Sequence, residues 1–324
     1  MNRRSVLASA AIVLFSASSA WAQGYPERPI TMIVPFAAGG PTDITARIVG
    51  EHMSRTLGQQ IVIENVAGAG GTTGISRAAA SAADGYTIMM GHMGTHGAAP
   101  AVYPNLKYNP TKDFEPVGLA AGTPILVVTR KDFPANDLKG FVAHVKANGP
   151  KLNEAHAGVG SVSHTTCTLL HSILGVQPNR VAYRGTGPAL NDLVAGQVDY
   201  MCDQIVNLTP QIQGGTIKAL AIATAERSPA LPNVPTTKEA GLPEFQVSAW
   251  NAIFAPRGTP KDVVVRLNDA LVKALDDANT RKRLLDLGGD VPDRAGRSPD
   301  ALAKLVQSEV ARWAKVFKQV GGAK

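Results

Sequence analysis

The 324-residue sequence predicts an α/β fold of two lobes, because strand-like and helix-like segments alternate and two glycine-rich loops each open a helix. Short β-branched runs predict strands, and periodic apolar residues between them predict helices. This alternation is typical of mostly parallel sheets covered by helices on both faces. The predicted strands are residues 30–34, 61–64, 87–90, 125–129, 180–183 and 219–224, and the predicted helices between them are 44–57, 74–80, 138–147, 165–174 and 188–195.

Residues 1–22 predict a secretory signal that is removed on export. Arg3 and Arg4 precede an apolar stretch at 6–15, and residues 20–22 read Ala-Trp-Ala, the A-x-A form of a cleavage site. A membrane anchor is the weaker interpretation, since the apolar stretch is shorter than the roughly 20 residues that span a bilayer.

The formal net charge of +7 falls to +5 (7 − 2) once Arg3 and Arg4 are removed with the signal. The positive charges are dispersed, with a single basic run at 281–283, and aromatic residues make up 5% of the chain. Nucleic-acid binding is not indicated by this pattern, and no nucleic-acid partner is expected.

Two segments, 115–129 and 218–228, are predicted to cross between the lobes. The predicted lobes are 23–122 together with 226–324, and 123–225. Two crossings side by side would form a hinge. Beyond them, Thr259-Pro260 and Ser298-Pro299 each predict the start of a covering helix.

The first glycine-rich loop, residues 36–43, follows a strand and opens a helix. The first N–H groups of a helix lack intrahelical partners and carry partial positive charge, so they can bind an anion. Asp43 is expected to cap the helix or to order a water, and an ordinary tight turn is the alternative for the whole loop. The residues assigned to this site are Phe36, Ala37, Ala38, Gly39, Gly40, Thr42 and Asp43.

A second loop of the same kind, residues 158–165, is rich in hydroxyl and imidazole groups. Its donors exceed what one helix cap needs, which favours a binding site over a cap alone. The assigned residues are Gly160, Ser161, Val162, Ser163 and His164, and the strand–turn–helix that follows adds Arg184, Gly185 and Thr186. Arg184 could pair with a carboxylate, although a solvated charge is the commoner role for such a residue.

Other motifs were weighed for cofactors and metals, and none is expected. Residues 68–74 have G-x-G-x-x-x-G spacing, which departs from the dinucleotide-binding pattern. His92 and His96 are four residues apart, but the glycines around them indicate a loop and no third zinc ligand is evident.

Cys167 and Cys202 have three possible interpretations: a disulfide, two separate buried thiols, or a reactive thiol at Cys167. An exported protein can form a disulfide, and both residues fall in the same predicted lobe, which favours the bridge. The alternative function is an exported hydrolase that uses Cys167 or Ser161, although Ser161 lacks the G-x-S-x-G pattern.

Taken together, these motifs make the sequence resemble exported solute-binding proteins of the tripartite tricarboxylate transporter type, the TctC or Bug family. The resemblance covers essentially the whole mature chain. Its motifs, in order, are Tyr25-Pro26, Arg28-Pro29, Val34-Pro35-Phe36, Gly39-Gly40, Asp43, Glu64-Asn65, Gly68, Gly70-Gly71, Asp84-Gly85-Tyr86, Gly158, Gly160-Ser161, His164, Tyr183-Arg184-Gly185, Pro188-Ala189, Leu193, Gly196, Val198-Asp199, Asp203, Phe254-Ala255-Pro256 and Gly258-Thr259-Pro260.

The resemblance implies a periplasmic binding protein of type II-like fold that closes on its ligand and is not an enzyme. It implies a small carboxylate ligand, with a dicarboxylate expected and an aromatic acid left open. Residues 36–43 and 161–164 would form the two jaws, and 185–189 with Asp203 the floor. This sequence itself adds His92 and His96, whose imidazoles could donate to a second carboxylate at the far end of the ligand or lie exposed at the rim. The implied partners are the membrane permease subunits of such a transporter, with a sensor system as the alternative, and the receptor is expected to be a monomer.

Overall fold

The computed structural model describes residues 24–319 and confirms the α/β prediction. The predicted signal at 1–22 lies outside the described residues. Within 24–319, no helix is both long enough and apolar enough to cross a bilayer.

The strands and helices alternate along most of the described chain. The strands are β1 Ile30–Val34, β2 Ile61–Asn65, β3 Thr87–His92, β4 Phe114–Arg130, β5 Asn153–His156, β6 Asn179–Ala182, β7 Tyr200–Gln204, β8 Ile217–Ile222 and β9 Ser248–Pro256. The α-helices are α1 Pro41–Leu57, α2 Thr72–Ala79, α3 Ala99–Val102, α4 Leu138–Asn148, α5 Val162–Leu174, α6 Thr186–Val194, α7 Ile205–Gln213, α8 Lys261–Asp276, α9 Ala278–Asp286 and α10 Pro299–Gln319, and a π-helix spans Met93–Ala98.

The strands are ordered β2-β1-β3-β9-β4-β7-β5-β6, with β8 also paired to β4. The outer strands are parallel, as expected for strands connected through helices: β1 pairs with β2 and β3, and β5 pairs with β6 and β7. At the centre, β9 is antiparallel to β3 and β4, and β4 is antiparallel to β7 and β8. The two strands that carry the chain between the two halves, β4 and β9, are therefore antiparallel to all of their neighbours.

Strand β4 belongs to two sheets, since its first part pairs with β9 and its second part pairs with β7 and β8. The pairing changes between Pro124 and Ile125. We call β2-β1-β3-β9 with the first part of β4 the first sheet, and the strands that pair with its second part, together with β5 and β6, the second sheet. The first predicted crossing, 115–129, lies within β4.

The return crossing runs along β9, beside β4. Thr123 on β4 lies opposite Ala249 on β9, and both backbone groups of Gly122 bond to Asp290 at 2.8 and 2.9 Å. Three segments thus meet where the sheets join.

Each sheet has a face that packs against its own helices. Met32 of the first sheet is fully buried in a cluster with Leu267 of α8. Leu126 of the second sheet is fully buried in another cluster, which also contains Leu231 and Val234. The segment after β8 therefore packs with the second sheet.

Candidate ligand-binding site

A small cavity lies between the two sheets, at the carboxyl ends of β1, β3, β5 and β7. In open α/β folds this end of the sheet is where ligands bind. The lining residues are Phe36, Gly40, Pro41, Thr42, His92, Ala157, Ser161, Val162, Ser163, Thr186, Asp203 and Gln204.

Four helix N-termini converge on this cavity. The N-cap residues are Gly40 for α1, Ser161 for α5, Gly185 for α6 and Gln204 for α7. Each helix presents N–H groups without intrahelical partners and the positive end of its dipole. The lining contains no lysine or arginine, so its positive potential comes from the backbone. Such an arrangement suits an anion.

Asp43 shapes the first loop from behind the cavity. Its carboxylate accepts hydrogen bonds from the Gly39 N–H at 3.0 Å, Asn65 Nδ2 at 2.9 Å and Arg47 Nε at 3.0 Å. Burial opposes ionisation, but these donors outweigh it and hold the pKa of Asp43 below its usual value. Asp43 and Gly39 are thereby committed to the loop, and neither lines the cavity.

The rest of the first loop divides between the cavity and the opposite lobe. Phe36, Gly40 and Thr42 line the cavity, whereas Ala37 and Ala38 do not. The Ala37 N–H donates to the carbonyl of Arg184 at 3.2 Å, which joins the two lobes directly.

The second loop is held by its own side chains. Ser161 Oγ accepts from the His164 N–H at 3.2 Å, and His164 Nδ1 accepts from the Gly160 N–H at 3.3 Å. Burial, with the nearby charge of Arg180, lowers the pKa of His164 to about 2, so its imidazole is neutral. Gly160 and His164 therefore fix the loop, and the cavity is lined by the three residues between them.

Asp203 forms the floor and ties two helix starts together. Its Oδ2 accepts from Thr186 Oγ1 at 2.6 Å and its Oδ1 from the Gln204 N–H at 2.7 Å. Burial raises the pKa of Asp203 to about 6. Arg184 is exposed and lines an adjoining opening rather than the cavity, and Gly185 contributes only as the cap of α6.

His92 lies in the wall of the cavity and is 1% exposed. Its Nδ1 accepts the Thr95 N–H at 3.1 Å, so the ring proton is on Nε2. Burial lowers the pKa of His92 to about 3, and the ring stacks on Phe36 with centroids 4.9 Å apart. His92 is therefore a neutral hydrogen-bond donor.

A metal centre is not formed by the two histidines. The His96 ring stacks on Phe254, with centroids 4.0 Å apart, and does not line the cavity. Among residues 24–319 there is no group of three His, Cys, Asp or Glu side chains placed to hold a metal ion.

Cys167 on α5 and Cys202 on β7 form a disulfide, with Cα atoms 5.3 Å apart. The bridge anchors the helix of the second loop to the strand that carries Asp203. A bonded sulfur cannot act as a nucleophile. Ser161 Oγ accepts from the His164 N–H and contacts Ser163 Oγ, so it is not paired with an imidazole base. Neither Cys167 nor Ser161 is therefore arranged as the nucleophile of a hydrolase.

Three lining residues were missed by the sequence reasoning: Pro41, Ala157 and Gln204. Pro41 is the first residue of α1, and Ala157 directly follows β5. Gln204 directly follows Asp203 at the carboxyl end of β7, so its position beside a predicted floor residue was the available signal.

The chain is similar to known proteins over most of its length. The model of the tripartite tricarboxylate transporter family receptor (TctC) matches residues 45–322. The structure of MatC from Rhodopseudomonas palustris with bound malate is 53% identical, with a TM-score of 0.88, over 90% of this chain and 99% of that one.

Two further structures are similar over the same extent. The periplasmic binding protein BugD is 44% identical, with a TM-score of 0.89, over 92% of this chain and 99% of BugD. An R. palustris protein solved with adipate is 34% identical, with a TM-score of 0.88, over 92% of this chain and 99% of that one. These similarities confirm the predicted two-lobed binding-protein fold.

Proposed function

The chain belongs to the tripartite tricarboxylate transporter family receptors, and we propose that it captures a small dicarboxylate between its lobes in the periplasm. Membership of a receptor family confirms the receptor interpretation over the hydrolase one. The convergence of four helix N-termini on a cavity without basic side chains carries the proposal. The bound malate and adipate of the two R. palustris structures support the ligand class.

One carboxylate of the ligand would accept hydrogen bonds from the free N–H groups at the starts of α1 and α5. These N–H groups belong to Thr42 on one side and to Ser163 on the other. The Nε2–H of His92 would donate to the second carboxylate. Phe36 adds an apolar wall, so an aromatic acid stays within the class to be tested.

The two lobes would close around the ligand by bending where β4 and β9 cross. The predicted lobes, 23–122 with 226–324 and 123–225, remain the basis of this proposal. Packing of Leu231 and Val234 with the second sheet favours moving the second boundary to about residue 247, just before β9 begins. In this proposal, inter-lobe hydrogen bonds form on closure, such as the one that Tyr103 Oη donates to the Val159 carbonyl at 2.6 Å.

A monomeric receptor, exported by the signal at 1–22, would present this closed form to the membrane permease subunits of its transporter. Ligand binding shifts the balance between open and closed forms by its different affinity for the two. Recognition of the closed form alone would make delivery depend on the ligand.

A thermal-shift screen of the chain from residue 23 tests the proposal. The panel contains malate, adipate, other mono-, di- and tricarboxylates, and aromatic acids, with sugars, amino acids and zinc as controls. A ligand that binds only the folded state raises the melting temperature, by an amount that grows with concentration above Kd. We expect dicarboxylates to give the largest shifts, and a chain that responds to no carboxylate would refute the receptor proposal.

A further inference from the structure

Gln204 connects the cavity to both crossing strands. It is 2% exposed and lines the cavity at the end of β7. Its Oε1 accepts Thr123 Oγ1 at 2.8 Å and Asn251 Nδ2 at 3.0 Å. Thr123 lies on β4 and Asn251 on β9, both fully buried, and neither lines the cavity.

The two donors determine which end of the Gln204 amide faces the cavity. A carbonyl oxygen has two lone pairs, and here each accepts one hydrogen bond. The Gln204 NH₂ group has two N–H donors: one is directed to the carboxylate of Asp203, which also lines the cavity, and the other is left for the cavity itself.

We propose that Thr123 and Asn251 are positioning residues that hold the Gln204 NH₂ group toward a carboxylate of the ligand. This inference depends on the proposed function, since it names how that site reads its ligand. Without the two donors the amide could rotate and present its oxygen, which repels a carboxylate. Because the donors lie on the crossing strands, the contact also connects the ligand to the place where the lobes bend.

Asn251 also neighbours the other side chain proposed to contact the ligand, because it lies opposite His92 in the pairing of β3 with β9. His92 ends β3 of the first sheet, Gln204 ends β7 of the second sheet, and both line the cavity. Both residues are thus attached to strand β9 at Asn251. A ligand that contacts His92 and Gln204 would therefore be read by two groups that the same strand positions.

The test compares Thr123→Val with Thr129→Val, with malate as the probe in isothermal titration calorimetry. Thr129 lies on the same strand, is fully buried, and its hydroxyl has no partner, so this control makes the same substitution without removing a hydrogen bond. We expect Kd to rise about 3- to 10-fold in Thr123→Val relative to Thr129→Val.

A double-variant cycle separates positioning from a purely structural effect. Gln204→Met removes the donor to the ligand, with an expected rise in Kd of about 10-fold or more. If Thr123 acts through Gln204, Thr123→Val should add no further loss in the Gln204→Met background. A full additional loss there would overturn the positioning role.

Asn251→Asp reverses the polarity of the network. A carboxylate at this position would attract the Gln204 NH₂ group, so the amide would turn its oxygen to the cavity. Malate binding should then be weaker than in Thr123→Val, in a variant whose circular dichroism and melting temperature show that it is folded.

The outcomes distinguish this inference from the proposed function. Wild-type protein that binds malate, with equal Kd in Thr123→Val and Thr129→Val, would overturn the positioning role alone. Wild-type protein that binds no carboxylate of the panel would overturn the proposed function and this inference with it.

Discussion

Gly187→Ala should weaken ligand binding without weakening the fold. Gly187 is the second residue of α6, next to the first loop of the opposite lobe. A Cβ at this position would lie 2.6 Å from the Ala38 carbonyl oxygen. An ordinary contact needs at least 3.4 Å, so the two loops must separate by about 0.8 Å (3.4 − 2.6). The clash exists only where the lobes meet, and alanine suits a helix better than glycine does.

The expected loss follows from the cost of overpacking. Forcing a methyl group into a packed contact costs about 1–3 kcal/mol, which corresponds to a rise in Kd of roughly 5- to 150-fold. Since the strain falls on the closed form, the melting temperature of the unliganded protein should stay level or rise slightly.

Gly50→Ala is the matched control for this experiment. Gly50 lies within α1, and its Cβ would meet Ile61 at 3.6 Å, an ordinary contact. Kd for malate is measured by calorimetry and the melting temperature by circular dichroism in both variants. If Gly187→Ala binds within twofold of Gly50→Ala, the lobes do not approach each other in the bound state as they do in this structure, and the reasoning fails.

Three further predictions concern the disulfide, the histidines and the floor. The Cys167–Cys202 bridge spans 35 residues, so replacing both cysteines by serine should lower the free energy of unfolding by about 3–4 kcal/mol in urea; equal midpoints would refute this. Five buried histidines have pKa values below 6.5, so the unfolded chain binds more protons in acid than the folded chain does. The free energy of unfolding should therefore be highest above pH 6.5 and fall toward pH 4, which urea titrations at several pH values would measure. The raised pKa values of Glu154, Asp203 and Asp290 act in the opposite sense, but they are three groups against five. Asp203 is charged above pH 6 and repels an anion, so Kd for malate should fall between pH 7.5 and 6, and in Asp203→Asn it should not; a parallel change in both proteins would refute the assignment.

The fold class could be predicted from the sequence because the β-branched strands follow local rules. The predicted segments 30–34 and 87–90 lie within β1 and β3. Strands β5 and β7 were missed, since their sequences, Asn-Glu-Ala-His and Tyr-Met-Cys-Asp-Gln, are poor in β-branched residues. They are strands because they pair with β6 and β4 and are almost fully buried, which is tertiary information.

The backbone part of the site could also be predicted, because a strand, a glycine turn and a helix start are consecutive in sequence. The roles of side chains could not. The sequence predicts His164 as a ligand contact and Asp43 as a helix cap or a residue that orders a water. In the structure both are committed to hydrogen bonds within their loops. Gln204 is oriented by groups 81 and 47 residues away, a distance over which sequence patterns carry no information.

In the proposed mechanism, the division of donors between the lobes makes closure and affinity one equilibrium. Helix α1 follows the first sheet, while α5, α6 and α7 follow strands of the second sheet. An open form would offer the ligand either the start of α1 or the starts of α5, α6 and α7, but not both. A helix end that is exposed to water binds an anion weakly, because solvent screens its charge. The measured Kd is therefore the Kd of the closed form divided by the fraction of protein that can close. Gly187→Ala acts on the fraction of protein that can close, whereas Gln204→Met acts on the contact with the ligand, so their effects on ln Kd should add. The effects of Thr123→Val and Gln204→Met should not add, because both act on the same contact.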